Sequence, residues 1–186
     1  MADAPRLRLF VALELPAAAR GTLAAFREAE ADPAVWRPVR DEALHLTLAF
    51  LGMRPAEDVA AIAGVLERGA GAAPPLALGP ALLLPPRRAR ALCAEVADPG
   101  GALAALQARV SDGLVAVGVY EAERRPFRAH ATVARLRAGA RAPRQARTAG
   151  PEPLEFHGET LTLYRSRPQR GGAVYEALSR VPLPRS

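Results

Sequence analysis

Two of the three histidines in this 186-residue chain are each followed two positions later by a threonine, in His45-Leu46-Thr47 and His130-Ala131-Thr132. Threonine occurs only six times in all, so the duplicated spacing calls for an explanation. In an extended strand, residues i and i+2 project from one face about 6.5 Å apart, while the residue between them points the other way. Each motif therefore sets an imidazole beside a hydroxyl. An imidazole with an ordinary pKa near 6.5 can be neutral in one copy and protonated in the other at neutral pH. Hydroxyls can donate to the charged oxygens of a phosphoryl group. Brought face to face, the two motifs could take a proton from water, protonate a leaving ribose oxygen and hold a phosphate. Those are the needs of cyclic phosphodiester hydrolysis, and no metal or nucleotide cofactor enters the scheme.

Other uses of the same residues are open. His45 and His130 could be half-buried strand histidines whose hydrogen bonds are met by nearby threonines. Zinc is a weaker fit, because neither strand carries a second His, Cys or carboxylate at close ligand spacing. His157, in EFHGET, lacks the motif and reads as a surface or structural residue. The lone cysteine, Cys93, lies in the apolar ARALCAEV and reads as a packed thiol. It excludes an intramolecular disulfide and fits a reducing cytoplasm.

The elements that must position the histidines repeat. Residues 7–15 read as a buried strand and 17–31, after Pro16, as a helix. A Pro-containing stretch follows, then a strand over 44–51 ended by Gly52, and a helix over 55–68 opening on Pro55. The second half runs in the same order. Strands over 76–84 and 89–96 flank a Pro85-Pro86 turn, a helix covers 100–117, and 128–136 is a strand. From mid-strand to histidine the distance is 36 residues in the first half (Leu9 to His45) and 38 in the second (Leu92 to His130), the spacing of an internal repeat. Residues 137–153 are aperiodic and rich in Arg, Gly and Pro, a long mobile loop. Strands over 154–165 and 172–182 close the chain as a hairpin through SRPQRGG.

A hydrophobic fraction of 50% with 24% charged residues is that of a folded globular protein, and the length fits one domain spanning 1–186. The net charge of +6 is carried on arginine alone, with no lysine. Such a surface attracts polyanions, of which RNA is a common one, although arginine in place of lysine also fits the codon bias of a GC-rich genome. No stretch approaches the ~20 apolar residues of a membrane span, and the run Leu9 to Leu13 is too short for a signal peptide. The chain reads as a soluble cytoplasmic monomer.

LRLFVALELP, VRDEALHLTLAFLG, PFRAHATVARL and LYRSR followed by GAVYEAL together resemble the RNA 2′,3′-cyclic phosphodiesterases, first named for 2′-5′ RNA ligase activity, within the 2H phosphoesterase superfamily. The resemblance implies a bilobal α+β fold with two antiparallel sheets in pseudo-twofold relation, a central cleft and helices outside. It implies opening of a terminal 2′,3′-cyclic phosphate of RNA to a 2′-phosphate, with His45 as proton donor to the leaving O3′ and His130 as proton acceptor from water. Ala129 and Val133 stand where the family often has Pro and Leu, a change of cleft shape and not of functional groups. Arg135, with Arg137 and Arg141 of the loop, is a candidate substrate-binding residue, yet three residues past Thr132 strand alternation points Arg135 to the opposite face. Ligation in the same fold, small cyclic nucleotides or ADP-ribose cyclic phosphate as substrates, and a non-catalytic RNA-binding module gripping through the arginine-rich loop are the alternatives.

Overall fold

The apolar stretch that begins at Leu7 forms the first strand, and the chain then makes two similar passages of strand and helix. The computed structural model describes residues 5–146, 149–169 and 172–185. The first passage comprises β1 (Arg6–Glu14), α1 (Ala17–Glu30), a short β2 (Trp36–Pro38), β3 (His45–Pro55) and α2 (Asp58–Gly69). The second comprises β4 (Pro75–Leu84), β5 (Ala91–Ala97), α3 (Ala102–Ala116) and β6 (His130–Leu136). Three further strands, β7 (Glu155–His157), β8 (Thr160–Arg167) and β9 (Val174–Pro182), follow.

All strand pairings are antiparallel, in the order β7-β4-β5-β6-β3-β1-β8-β9, with β2 added on β6. The two histidine strands are the innermost. They join the halves β7-β4-β5-β6 and β3-β1-β8-β9 through one paired position, Leu46↔Ala131. The two sheets implied by the resemblance are thus halves of one sheet that share a single rung. The repeat keeps its register at the key position, since Glu14 pairs with His45 and Glu95 with His130.

Each helix buries a stripe at helical spacing: Ala19, Leu23, Phe26 and Glu30 in α1, Ile62, Val65, Leu66 and Gly69 in α2, and Leu103, Leu106, Val110 and Leu114 in α3. Asp98 accepts the amide protons of Leu103 and Ala104 at 3.2 and 2.9 Å, satisfying donors at the start of α3. Two of the three helices cross to the other half, while α2 packs on β8, β9 and β3 of its own. α1 follows β1 but packs on β6, and α3 follows β5 but packs on β3, so helix packing fastens what the single rung leaves loose. α2 and α3 approach closely at Gly113, where an added Cβ would meet Val65 at 2.7 Å. Among the described residues no helix is long and apolar enough to cross a membrane.

The structure departs from the sequence reading at the ends of elements. Gly52 does not end the strand: β3 continues to Pro55, and the left-handed φ of 69° at Gly52 accommodates a bulge, with Leu51 unpaired between Phe10 and Leu9. Pro55 accordingly closes a strand, and α2 begins at Asp58. The second histidine strand begins at His130 itself. The expected strand over 154–165 is two, because β7 pairs with β4 while β8 pairs with β1, and the chain turns at Gly158 between them. The Pro-containing stretch holds the short β2, which ends at Pro38, a residue with no amide to extend the ladder. The described part of 137–153 contains neither helix nor strand.

Candidate active site

β3 and β6 alternate as their sequences require. Leu46 and Ala131 are fully buried beneath the helices, whereas His45, Thr47, His130 and Thr132 are only partly buried, on the opposite face. Extending the Leu46↔Ala131 register by one residue in each direction sets His45 beside Thr132 and Thr47 beside His130. The four residues form a quadrilateral around a pseudo-twofold axis that passes through the central rung.

The imidazoles are held alike. His45 Nδ1 lies 2.7 Å from the carbonyl of Ala43, and His130 Nδ1 lies 2.7 Å from the carbonyl of Arg128, two residues back in each case. A carbonyl only accepts, so Nδ1 carries the proton in each neutral ring and Nε2 keeps its lone pair. His45 Nε2 lies 3.0 Å from Thr47 Oγ1, whose hydroxyl donates to the neutral ring. Thr132 Oγ1 faces the Cys93 thiol at 3.6 Å. Burial pushes that thiol up to about 11, so Cys93 is a packed, protonated group at neutral pH.

Burial also holds the His45 imidazole down at about 4. The Ala43 carbonyl and Glu14 act the other way, while the positive charge of Arg135 and the proximity of His130 reinforce the depression. The apolar wall is aromatic: the Phe10, Tyr175 and Tyr164 rings lie 5.0, 5.4 and 6.3 Å from the His45 ring. Glu14, opposite His45, takes three hydrogen bonds on Oε1, from Tyr164 Oη at 2.7 Å, Thr162 Oγ1 at 2.8 Å and Arg180 Nε at 3.0 Å. Burial alone would raise its pKa, and these donors outweigh it, leaving the carboxylate ionised. Glu95, in the matching position opposite His130, pairs with Arg128 at 3.0 Å.

Arg135 corrects the sequence reading. Between Thr132 and Ala134 the register with β5 slips by one, so Val133 is an extra residue, and Leu48 is its counterpart in β3 between Thr47 and Ala49. Each bulge inverts the alternation beyond it. Arg135 and its counterpart Phe50 therefore return to the face that bears the histidines. Both are exposed, and both line a cavity of about 490 Å³ together with His45, Thr47, Phe10 and Tyr175. His130 and Thr132 lie beside that cavity across the central rung and do not form its wall. Arg8 lies over the exposed Phe50 ring, 4.9 Å from its centroid.

Of the loop arginines, Arg137 and Arg141 line a separate, larger groove, Arg137 donating from Nε to the Pro33 carbonyl at 2.7 Å. Arg147 lies outside the described residues. His157 is exposed on β7 and lines neither cavity. Among the described residues no group of three His, Cys, Asp or Glu side chains is placed to hold a metal ion. Sequence reasoning missed Glu14 and the aromatic wall. The matching places of Glu14 and Glu95 opposite the two histidines were the available signal.

A cleft of this kind, with two His-x-Thr strands meeting at the middle of an antiparallel sheet, defines a two-histidine phosphoesterase. The chain belongs to the 2′-5′ RNA ligase superfamily, whose family model matches residues 14–170. A solved phosphoesterase is 30% identical over 97% of this chain and 100% of its own, with a TM-score of 0.80. LigT of E. coli, solved with 3′-AMP, is 30% identical over 96% of this chain and 99% of its own, with a TM-score of 0.80. A protein of Thermus thermophilus is 30% identical over 96% of this chain and 99% of its own, with a TM-score of 0.78. No curated protein matches the chain.

Proposed function

We propose that this protein opens the 2′,3′-cyclic phosphate at the 3′ end of RNA, leaving a 2′-phosphate and a free 3′-hydroxyl, without a metal ion. The observation that carries this reading is the matched pair of imidazoles, each anchored through Nδ1 to the carbonyl two residues back, with Nε2 left for proton transfer. His130 Nε2 takes a proton from water as the water oxygen bonds to phosphorus. The P–O3′ bond breaks, and O3′ takes the proton held on His45 Nε2. One water is consumed, one proton enters His130 and one leaves His45, and exchange with solvent resets the pair. Thr47, Thr132 and Arg135 face the non-bridging oxygens, whose charge grows in the transition state.

Burial keeps His45 neutral in the free protein, so its proton is taken up from solvent as the substrate binds. Burial is the main cause of the depression, and the charge of Arg135 adds to it. The phosphodiester anion, held against Arg135, places an opposite charge beside the ring, and loading of the donor is coupled to binding. Phe50 and Tyr175 give the cavity aromatic faces for a nucleobase, and its volume lies within the roughly 300–1,000 Å³ of small-ligand pockets. The buried thiol of Cys93 suits a reducing cytoplasm, where we place the protein as a monomer.

The test is incubation with RNA ending in a 2′,3′-cyclic phosphate, with EDTA present, reading the position of the terminal phosphate. A 2′-phosphate that forms with wild type and fails to form with both His45→Ala and His130→Ala supports the reading. Activity lost in EDTA and restored by zinc refutes it. Joining of the cyclic end to a supplied 5′-hydroxyl RNA, with no hydrolysis, would make the chain a ligase.

A further inference from the structure

Beside the catalytic cavity lies a second, larger groove. The turn between β4 and β5 carries Arg87, Arg88 and Arg90 along one wall, and the loop after β6 carries Arg141 and Arg144 along the other. The groove measures about 1300 Å³, above the range of about 300–1,000 Å³ usual for a small ligand. Arg37 and Arg135 line both the groove and the catalytic cavity, so the two adjoin. No carboxylate and no aromatic side chain lines the groove, and among the described residues none of its arginines forms an ion pair.

We infer that this groove holds the sugar–phosphate backbone of single-stranded RNA leading 5′ from the nucleotide in the cleft. The inference rests on the reading above. A terminal cyclic phosphate has chain on one side only, so a polymer seated in the cleft must leave it, and this groove, which adjoins the cavity at Arg37 and Arg135, is lined by arginines. Bringing uncompensated guanidinium groups together is unfavourable unless an anion neutralises them, and phosphates do so bidentately. With no stacking platform, the grip is on phosphates and not bases, which makes it tolerant of sequence and sensitive to salt.

The test uses the turn, which lies outside the catalytic cavity. Binding of a 5′-labelled RNA of about 12 nucleotides ending in a 2′-phosphate is followed by fluorescence anisotropy against salt. In the variant R87Q/R88Q/R90Q three phosphate contacts at about 0.7 each are lost, so the slope of log K against log salt becomes about 2.1 shallower. Doubling the salt from ~0.1 to ~0.2 M then weakens wild type about 4-fold more than the variant. Turnover of cytidine 2′,3′-cyclic phosphate stays unchanged. A photoreactive uridine two to four nucleotides upstream of the end should crosslink to residues 87–90 or 137–144. An unchanged salt slope, crosslinks elsewhere, or an equal loss on the mononucleotide overturns the inference. Failure of wild type to open any cyclic phosphate would overturn the proposed function, while the anisotropy would still report on the groove.

Discussion

Replacing His45 by alanine separates proton donor from proton acceptor in a single variant. In the substrate-free cleft, burial holds this imidazole at about 4, so at pH 7 about one molecule in 10³ carries the proton, a gap of about 4 kcal/mol. A donor acting from that state recovers the proton as the phosphodiester anion settles against Arg135. A general acid contributes about 10²–10⁴ in rate, or ~2.7–5.4 kcal/mol, and His45→Ala should lose that factor on a ribose 2′,3′-cyclic phosphate. On a 4-nitrophenyl phosphodiester, whose leaving group departs unprotonated, the loss should shrink below about 10-fold. What activity remains should depend on His130 as the acceptor of the water proton, and the double variant His45→Ala/His130→Ala should lose it. The assay is kcat/KM against pH for wild type, His45→Ala and His130→Ala on both substrates. If the nitrophenyl substrate rescues His130→Ala and not His45→Ala, the two roles are the reverse of those assigned.

Titration of the His45 ring protons by NMR should give a midpoint of about 4 in the free protein, moving up with inorganic phosphate and also in Arg135→Gln; a midpoint near the ordinary value of about 6.5 would remove the coupling between binding and proton loading. Thr47→Val and Thr132→Val should each lower kcat by roughly 10–10³ with the fold intact, and unchanged kcat in both would assign these hydroxyls to His45 Nε2 and the Cys93 thiol alone. The depressed pKa of His45 also acts on stability: between about 6.5 and about 4 the unfolded chain holds a proton that the folded chain refuses, so stability falls as pH falls, by at most ~3 kcal/mol. Urea denaturation at neutral pH and near pH 4 should show that much less pH dependence in His45→Asn than in wild type.

The two histidines and threonines were legible because a strand has a period of two, and nothing interrupts it between His45 and Thr47 or between His130 and Thr132. Arg135 was misplaced because the same period was carried one residue too far, across a bulge at Val133 that only the pairing with β5 creates. Phe50 escaped notice for the same reason at Leu48. Glu14, Tyr164 and Arg180 come together from three strands far apart in sequence, a juxtaposition set by sheet order and invisible to local pattern. The short β2 and the break at Gly158 were hidden because each gains its strand character from a partner and not from its own periodicity.

The central rung has a stereochemical consequence. His45 and His130 stand diagonally across the Leu46↔Ala131 rung, so in the proposed reaction a phosphate seated over that rung meets one imidazole on the side where water enters and the other on the side where O3′ departs. Bond making and bond breaking then lie on opposite flanks of phosphorus, and one in-line displacement inverts its configuration. A single diastereomer of a 2′,3′-cyclic phosphorothioate, opened in ¹⁸O-water, should give a product of inverted handedness. Retention would require two displacements in succession, and one of the imidazoles would then be bonding to phosphorus as a nucleophile.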